Sequence, residues 1–343
     1  MRGKKNLWLM LLLMSAFAAA SQVESGDWKE AKLFLRTQTQ PVRNAKELRL
    51  LGNAIEKYFP DTMNRVRASY LWVVDNLQYD CQGMKAKKSR WALDSVLKSR
   101  KAVCAGYVNV FRNLCDAAGV ECVDVSGYGR SGFSDLVLTR PSFAANHTWN
   151  AVRINNEWKL IDVTWASGYT DEDCNSFTNA RNDWYFCAEP KRFGWDHFPK
   201  DDEWQLLKEP ISWSDFYTYP LLYQGMLENN IEEFSPRSVV IHKQVGDTVV
   251  FNFKSQRSLN RIIISSRTQP GIYMTDYPDR TSDGYRYVYK IRREGSYDLQ
   301  IDLLNIENPR GFGSYEVKTY TDIVYWINVR PTNSIAKDQK AVF

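Results

Sequence analysis

The chain has 343 residues, 25% charged and 14% aromatic, with 45 lysines and arginines against 40 acidic residues. Three of the cations lie in a predicted signal sequence, which leaves 42 of 45 against 40 acids in the mature chain. Because this balance is nearly even and no basic stripe stands out, the composition argues against a nucleic-acid-binding protein.

The first twenty residues have the pattern of a secretory signal. Arg2, Lys4 and Lys5 form a basic region, residues 7–17 are apolar, and residues 18–20 are three alanines suited to cleavage. The apolar stretch is shorter than the roughly 20 residues that a membrane span needs. We therefore expect cleavage after Ala20 and an exported protein, secreted or periplasmic, without a membrane span.

Two amphipathic helices are predicted before the first cysteine. Apolar residues recur at helical spacing in both segments. These residues are Leu48, Leu51, Ile55 and Phe59 in the first helix and Val66, Tyr70, Val73 and Leu77 in the second. Pro60 ends the first helix. We interpret residues 21–64 as an N-terminal helical brace.

Cys104 stands at the start of a third predicted helix. Cys104, Val108, Phe111 and Cys115 follow a spacing of four, three and four residues, and Gly119 occupies the position of a helix C-cap. The N–H groups and the positive end of the dipole at a helix N-terminus stabilise a thiolate relative to a thiol. Cys104 is therefore the candidate nucleophile.

A base and an acid are predicted on the hairpin that follows. If residues 155 and 156 form a two-residue turn, counting back places Trp149 opposite Asp162 and His147 opposite Thr164. His147 and Asp162 are then diagonal neighbours on one face, about 7 to 8 Å apart at the backbone. In that arrangement His147 can transfer the proton while Asp162 fixes its tautomer.

The sequences around these residues resemble the transglutaminase-like superfamily of papain-like cysteine acyltransferases. The motifs are WVVDNLQYD at residues 72–80, the Cys104 helix followed by VSGY, HTWNAV from residue 147, and WKLIDVTW from residue 158. Residues 182–216 are similar to the branch that contains the kyphoscoliosis peptidase and fungal cytokinesis proteins. One departure is Val163, since the family usually has proline after the acid. The resemblance implies a papain-like α+β fold and a Cys104, His147 and Asp162 triad.

The chemistry expected of this triad is acyl transfer through a thioester on Cys104. The oxyanion would be held by the Cys104 N–H and by one upstream donor, for which Trp72, Gln78 and Trp91 are all candidates. The substrate would be a protein or peptide amide, including a peptide of the cell surface or cell wall, and the protein a protease, deamidase or transglutaminase. The alternative is a non-catalytic binding or assembly module with an adhesion domain.

No metal or other cofactor is expected. The chain has three histidines, far apart in sequence, and neither an HExxH motif nor a pair of CxxC motifs. Of the six cysteines, Cys174 and Cys187 are the one pair considered for a disulfide bond. Cys81, Cys115 and Cys122 are expected to be core residues.

Short alternating runs fill the chain after about residue 238. Six segments have the period of two that is typical of strands. They are TVVFNFK, RIIISS, YRYVYKI, SYDLQIDLL, YEVKTY and IVYWINV. About seven strands over this length predict an antiparallel β-sandwich of immunoglobulin-like size. We assign residues 65–228 to a transglutaminase-like domain and residues 231–343 to this sandwich.

Overall fold

A computed structural model of the chain describes residues 27–88, 91–130, 144–171, 173–223, 225–304 and 323–330. The predicted signal peptide and the predicted strand YEVKTY, residues 315–320, lie outside these ranges. Among the helices described, none has the length and apolar character required to cross a bilayer. The chain divides into two compact units. The first runs to Gly129 and continues with Ala144–Phe193 and Pro199–Pro210, and the second contains Gly194–Phe198 and the chain from Ile211.

The first unit opens with helices. They are α1 (Asp27–Thr37), α2 (Ala45–Tyr58), α3 (Thr62–Asn76), α4 (Cys81–Lys85), α5 (Leu93–Ser99) and α6 (Cys104–Ala117). The side chains of Asn44 and Asp61 cap α2 and α3 by accepting backbone N–H bonds. The apolar faces predicted for α2 and α3 are buried. Two short strands, β1 (Gln78–Tyr79) and β2 (Lys101–Ala102), pair in parallel just before α6.

Helix α6 lies at the centre of the first unit. Its apolar face is buried, Cys115 included, and α2 packs closely on it because Gly52 has no Cβ that would collide with Ala117. Gly119 follows the helix with a φ of 69°, a left-handed conformation that glycine adopts without strain. The predicted position of the helix end is thus confirmed, and Cys104 is fixed as its first residue.

An antiparallel sheet lies beside α6. Strand β4 (His147–Ile154) pairs with β3 (Cys122–Gly129) on one side and β5 (Glu157–Ile161) on the other. Asn155 and Asn156 make the two-residue turn, with φ values of 50° and 66°, and the predicted pairing of Ile154 with Glu157 is confirmed. The remaining elements up to residue 205 are short. They are α7 (Val163–Ala166), β6 (Gly168–Thr170), β7 (Phe177–Asn179), α8 (Pro190–Phe193), β8 (His197–Pro199) and 3-10 turns at Asp183–Tyr185 and Asp202–Gln205.

The pair considered for a disulfide bond, Cys174 and Cys187, is not bonded. Cys174 is bonded to Cys81, 93 residues earlier, while Cys187 is a free thiol. Cys174 lies in the turn between β6 and β7, and β7 contacts β1, which immediately precedes Cys81. This packing brings the two Cα atoms to 5.3 Å, within the range that a disulfide requires.

The second unit contains two sheets around one apolar core. Its elements are α9 (Trp213–Thr218), β9 (Leu221–Leu222), α10 (Gly225–Glu228), β10 (Glu233–Ser235), β11 (Val240–Gln244), β12 (Thr248–Lys254), β13 (Arg261–Ser265), β14 (Tyr273–Asp276), β15 (Asp279–Arg280), β16 (Gly284–Lys290), β17 (Gly295–Leu304) and β18 (Ile323–Arg330). One sheet has the order β10-β12-β16-β15 and the other β11-β18-β17-β13-β14, with β9 paired to β18.

The core of the second unit combines side chains from both sheets. Phe251 and Tyr287 of the first sheet pack in one buried cluster with Ile264 and Leu299 of the second. The predicted α+β class, with antiparallel sheets after the helical part, is confirmed, although β11 and β18 run parallel. The domain limits of the sequence analysis stay a prediction. In the structure β9, which precedes residue 231, already pairs with β18.

Candidate active site

Cys104 is a partly exposed free thiol at the N-terminus of α6. Val103 precedes it in an extended conformation and provides no side-chain cap. The first N–H groups of a helix have no acceptor within the helix, so they can stabilise negative charge there. The fourteen-residue length of α6 gives it a substantial dipole. Cys104 therefore occupies the position predicted from the sequence, at the positive end of the helix dipole, where negative charge is stabilised.

His147 and Asp162 are joined by a short hydrogen bond. The distance from His147 Nε2 to Asp162 Oδ2 is 2.6 Å, and the two side chains are 8% and 0% exposed. The predicted register extends only to the pair of Asn150 and Ile161, because β5 ends there. Thr164 lies in α7 rather than opposite His147, so that part of the register prediction is wrong.

Asp162 leaves the strand because it begins a helix. It is the N-cap of α7, and its Oδ1 accepts bonds from the N–H groups of Thr164 at 2.8 Å and Trp165 at 3.1 Å. Side-chain oxygens of aspartate commonly satisfy such N–H groups at a helix start. One oxygen of Asp162 therefore holds the turn while the other binds His147.

The surroundings of His147 favour its protonated form. Burial lowers its pKa, but the charge of Asp162, the hydrogen bond to Asp162 and the hydrogen bond and charge of Cys104 outweigh burial and raise the pKa to about 10. The contribution of Cys104 to this shift indicates that its thiol lies near the His147 ring. The arrangement supports an imidazolium on His147, with Asp162 as the compensating charge.

Two neighbours fix the imidazole ring. Trp165 stacks on it with ring centroids 4.9 Å apart, and Gly129 lies so close that an added Cβ would be 2.9 Å from the Trp165 ring and 3.1 Å from His147 Cβ. Asn146 accepts a bond from Gly129 N at 2.7 Å and donates one to Gly129 O at 3.0 Å. The backbone at Gly129 is therefore held against the ring.

Sequence reasoning missed two tyrosines near the triad. Burial, followed by the charges of Cys104 and Asp162, raises the pKa of Tyr79 to about 12. Burial likewise raises the pKa of Tyr107, whose side chain is hydrogen-bonded to Ser167. Tyr107 lies one turn after Cys104 on the same helix, which is the signal that could have identified it.

The three candidate oxyanion donors occupy different settings. Trp72 is buried on α3, with the Arg100 guanidinium 5.0 Å from its ring centroid. Gln78 is exposed on β1 and pairs with Lys101, three residues before Cys104. Trp91 is 64% exposed, and its carbonyl accepts a bond from Asn109 of α6 at 3.0 Å. Their assignment as donors stays a prediction, as does the expectation that no metal or cofactor takes part.

Comparison with known proteins connects this site to one family. Residues 51–163, which contain Cys104, His147 and Asp162, match the transglutaminase-like superfamily. Mouse kyphoscoliosis peptidase is 38% identical over 170 residues, 49% of this chain and 25% of its own length. Cytokinesis protein 3 of Schizosaccharomyces pombe is 23% identical over 177 residues, 52% of this chain and 19% of its own length.

A solved structure described as a TGase is 16% identical over 38% of this chain and 34% of its own, with a TM-score of 0.28. The match of residues 51–163 to the family, rather than this structural similarity, is the finding that relates the chain to the superfamily. The chain spans a quarter or less of the length of the two curated relatives.

Proposed function

We propose that this chain, whose residues 51–163 match the transglutaminase-like superfamily, is an exported cysteine acyl-transfer enzyme acting on amides of proteins or peptides. The observation that carries the proposal is the 2.6 Å bond of His147 to Asp162 beside a thiol at a helix N-terminus. A nucleophile, a base and an orienter of the base are the groups that thiol acyl transfer requires.

Before the attack, the proton lost by the Cys104 thiol is already on His147, so the nucleophile is a thiolate beside an imidazolium. Because Nε2 is bonded to Asp162, Nδ1 is the nitrogen that holds this proton. The thiolate attacks the amide carbon, a C–S bond forms, and the carbonyl oxygen becomes an oxyanion held by the Cys104 N–H. Among the candidate side chains we favour Gln78 as the second oxyanion donor. It is exposed on β1, and β1 pairs with β2, the strand that leads into Cys104.

In the second step the C–N bond breaks and the imidazolium gives its proton to the leaving group. A glutamine side chain releases ammonia, and a peptide bond releases an amine. The acyl group remains on Cys104 as a thioester. Attack by water on the thioester results in deamidation or proteolysis, whereas attack by a lysine amine results in a crosslink. In both cases His147 takes the proton of the new nucleophile.

The disulfide supports export. Cys81 and Cys174 form a bond within the first unit. Such bonds persist in oxidising compartments such as the cell exterior and the periplasm, and they are rare in the cytosol. This agrees with the signal sequence inferred for the first twenty residues.

Mass spectrometry tests the proposal. The mature protein and its Cys104→Ala variant are incubated with a glutamine-containing peptide and a labelled primary amine. Amine incorporation indicates transglutaminase activity, conversion of glutamine to glutamate indicates deamidation, and shorter peptides indicate proteolysis. Each should depend on Cys104. If the peptide is unchanged while Cys104 still reacts with iodoacetamide, the non-catalytic alternative is supported and the proposal fails for this substrate class.

A further inference from the structure

Tyr107 connects the helix of the nucleophile to the helix of the acid. It lies three residues after Cys104 on α6 and is completely buried. Its hydroxyl lies 3.2 Å from the Oγ of Ser167, the residue that caps the C-terminus of α7. Asp162 is the N-cap of the same short helix. One hydrogen bond therefore joins the two elements that carry opposite ends of the triad.

The direction of the hydrogen bond between Tyr107 and Ser167 follows from the single proton that the serine hydroxyl carries. Ser167 Oγ has two neighbours, the Tyr107 hydroxyl at 3.2 Å and the carbonyl of Thr164 at 2.8 Å. A serine hydroxyl carries one proton, so it donates to the nearer carbonyl and accepts from the phenol. Burial keeps the pKa of Tyr107 above its usual value, which leaves that phenol proton in place.

The hydrogen bond between Tyr107 and Ser167 is connected to the Asp162 carboxylate through one peptide group. The Thr164 carbonyl that accepts from Ser167 and the Trp165 N–H belong to the same peptide plane. That N–H donates to Asp162 Oδ1 at 3.1 Å. Because a peptide group is planar and rigid, fixing its carbonyl also fixes the direction of its N–H. The chain of bonds from Tyr107 therefore ends on the acid that binds His147.

We propose that Tyr107 and Ser167 are positioning residues that set the orientation of Asp162 against His147 and keep the Cys104 helix in register with both. This inference rests on the proposed function of the triad. The proposal extends the site to a closed circuit of contacts. The hydroxyls of Tyr107 and Ser167 join α6 to α7, and His147 connects Asp162 on α7 back to Cys104 on α6. Tyr107→Phe opens the circuit while nearly the same volume is filled, so the packing of α6 is conserved.

The test measures His147 directly by NMR titration, which requires no turnover. The chain has three histidines, and His147→Gln identifies the signal of His147. In Tyr107→Phe the midpoint of the His147 titration should fall by about one pH unit, equivalent to a tenfold weaker coupling to Asp162. Ser167→Ala should give the same shift. The double variant should add little, because both changes break one circuit. Ser167→Thr, which keeps the hydroxyl, should restore the midpoint.

Tyr325→Phe is the matched control. Tyr325 is a buried tyrosine of the second unit whose hydroxyl donates to Pro236 O at 2.8 Å. It should lower the melting temperature without moving the His147 midpoint. An unchanged midpoint in Tyr107→Phe, or shifts that add fully in the double variant, would overturn the inference. If the midpoints move but the wild type turns over no amide, the positioning role stands and the proposed function fails.

Discussion

Asp162 binds His147 with one carboxylate oxygen and holds the start of α7 with the other. Oδ2 lies 2.6 Å from His147 Nε2, and Oδ1 accepts from the N–H groups of Thr164 and Trp165. The rigid helix turn thus fixes the direction in which the second oxygen points. A substitution at this position changes the cap and the histidine together, so each effect needs its own measurement.

Asp162→Asn should slow amide turnover by up to roughly 10⁴-fold without abolishing it, as is typical when the orienting acid of a triad is replaced. The charge of Asp162 raises the pKa of His147, so its loss lowers that pKa. The imidazolium then deprotonates at lower pH, and the alkaline limb of kcat/KM moves to lower pH. Asp61→Asn, at the N-cap of α3, is the control and should leave the profile unchanged. An unshifted limb would show that Asp162 does not act on His147.

Cys104 should be the first thiol to react with iodoacetamide at about pH 6, because a helix N-terminus and an imidazolium favour its thiolate. All six cysteines lie in the described ranges, and Cys81 and Cys174 are bonded. Burial raises the pKa of Cys115 and raises that of Cys187 to about 12, which keeps both as thiols. Peptide mapping after brief labelling measures the order. Earlier modification of Cys122 or Cys187 would contradict the assigned nucleophile.

The double variant Cys81→Ser, Cys174→Ser should lose about 2 to 5 kcal/mol of unfolding free energy, because the bond closes a long loop in the unfolded chain. Urea unfolding with and without a reductant measures the loss, and the reductant should affect only the wild type. Cys187→Ser serves as the control, since Cys187 is a free thiol. Equal stability of the double variant and the wild type would contradict the bond. So would six reactive thiols, instead of four, in the denatured wild type without reductant.

Gly129→Ala should reduce turnover by about tenfold, equivalent to about 1.4 kcal/mol of activation free energy. The new Cβ would lie 2.9 Å from Trp165 and 3.1 Å from His147, so the ring stack must shift. Ser126→Ala, an exposed position on the same strand, is the control. The ratio of kcat/KM values measures the effect. Wild-type activity in Gly129→Ala would mean that the stacking of Trp165 does not position His147.

Asp298 should make the second unit sensitive to acid. Burial raises the pKa of this carboxyl, but bonds from Thr268, Arg267 and Ser266 outweigh burial and hold the pKa below its usual value. A depressed pKa in the folded state adds stability above the unfolded pKa of about 4, and this stability is lost as the pH falls through the folded value.

Asp298→Asn should therefore lower the unfolding free energy at neutral pH by roughly 2 kcal/mol, the range for hydrogen bonds to a charged group. The difference from the wild type should shrink toward acid pH, as followed by melting temperature against pH. Asp279→Asn, at an exposed acid, is the control. A difference that is constant with pH would contradict a role for the charge.

Features that depend on a single helix or turn could be predicted from the amino-acid sequence alone. The spacing of Cys104, Val108 and Phe111 with Gly119 behind them predicted α6 and its end, because helical periodicity and capping are local properties. The pair Asn155 and Asn156 predicted the turn, since asparagine tolerates the positive φ that such a turn demands. These local rules, with the motifs around them, were sufficient for the α+β class, and they suggested the triad residues, whose catalytic roles stay a prediction.

Features that join distant elements became visible only in the folded chain. Asp162 could continue β5 or cap α7, and the capping bonds together with His147 select the cap. Cys81 and Cys174 meet because β7 packs beside β1, and no local pattern encodes the meeting of residues 93 positions apart. Tyr107 and Ser167 are likewise 60 residues apart. Contacts of this kind depend on how whole elements pack, and that packing minimises the free energy of the entire core rather than of any one segment.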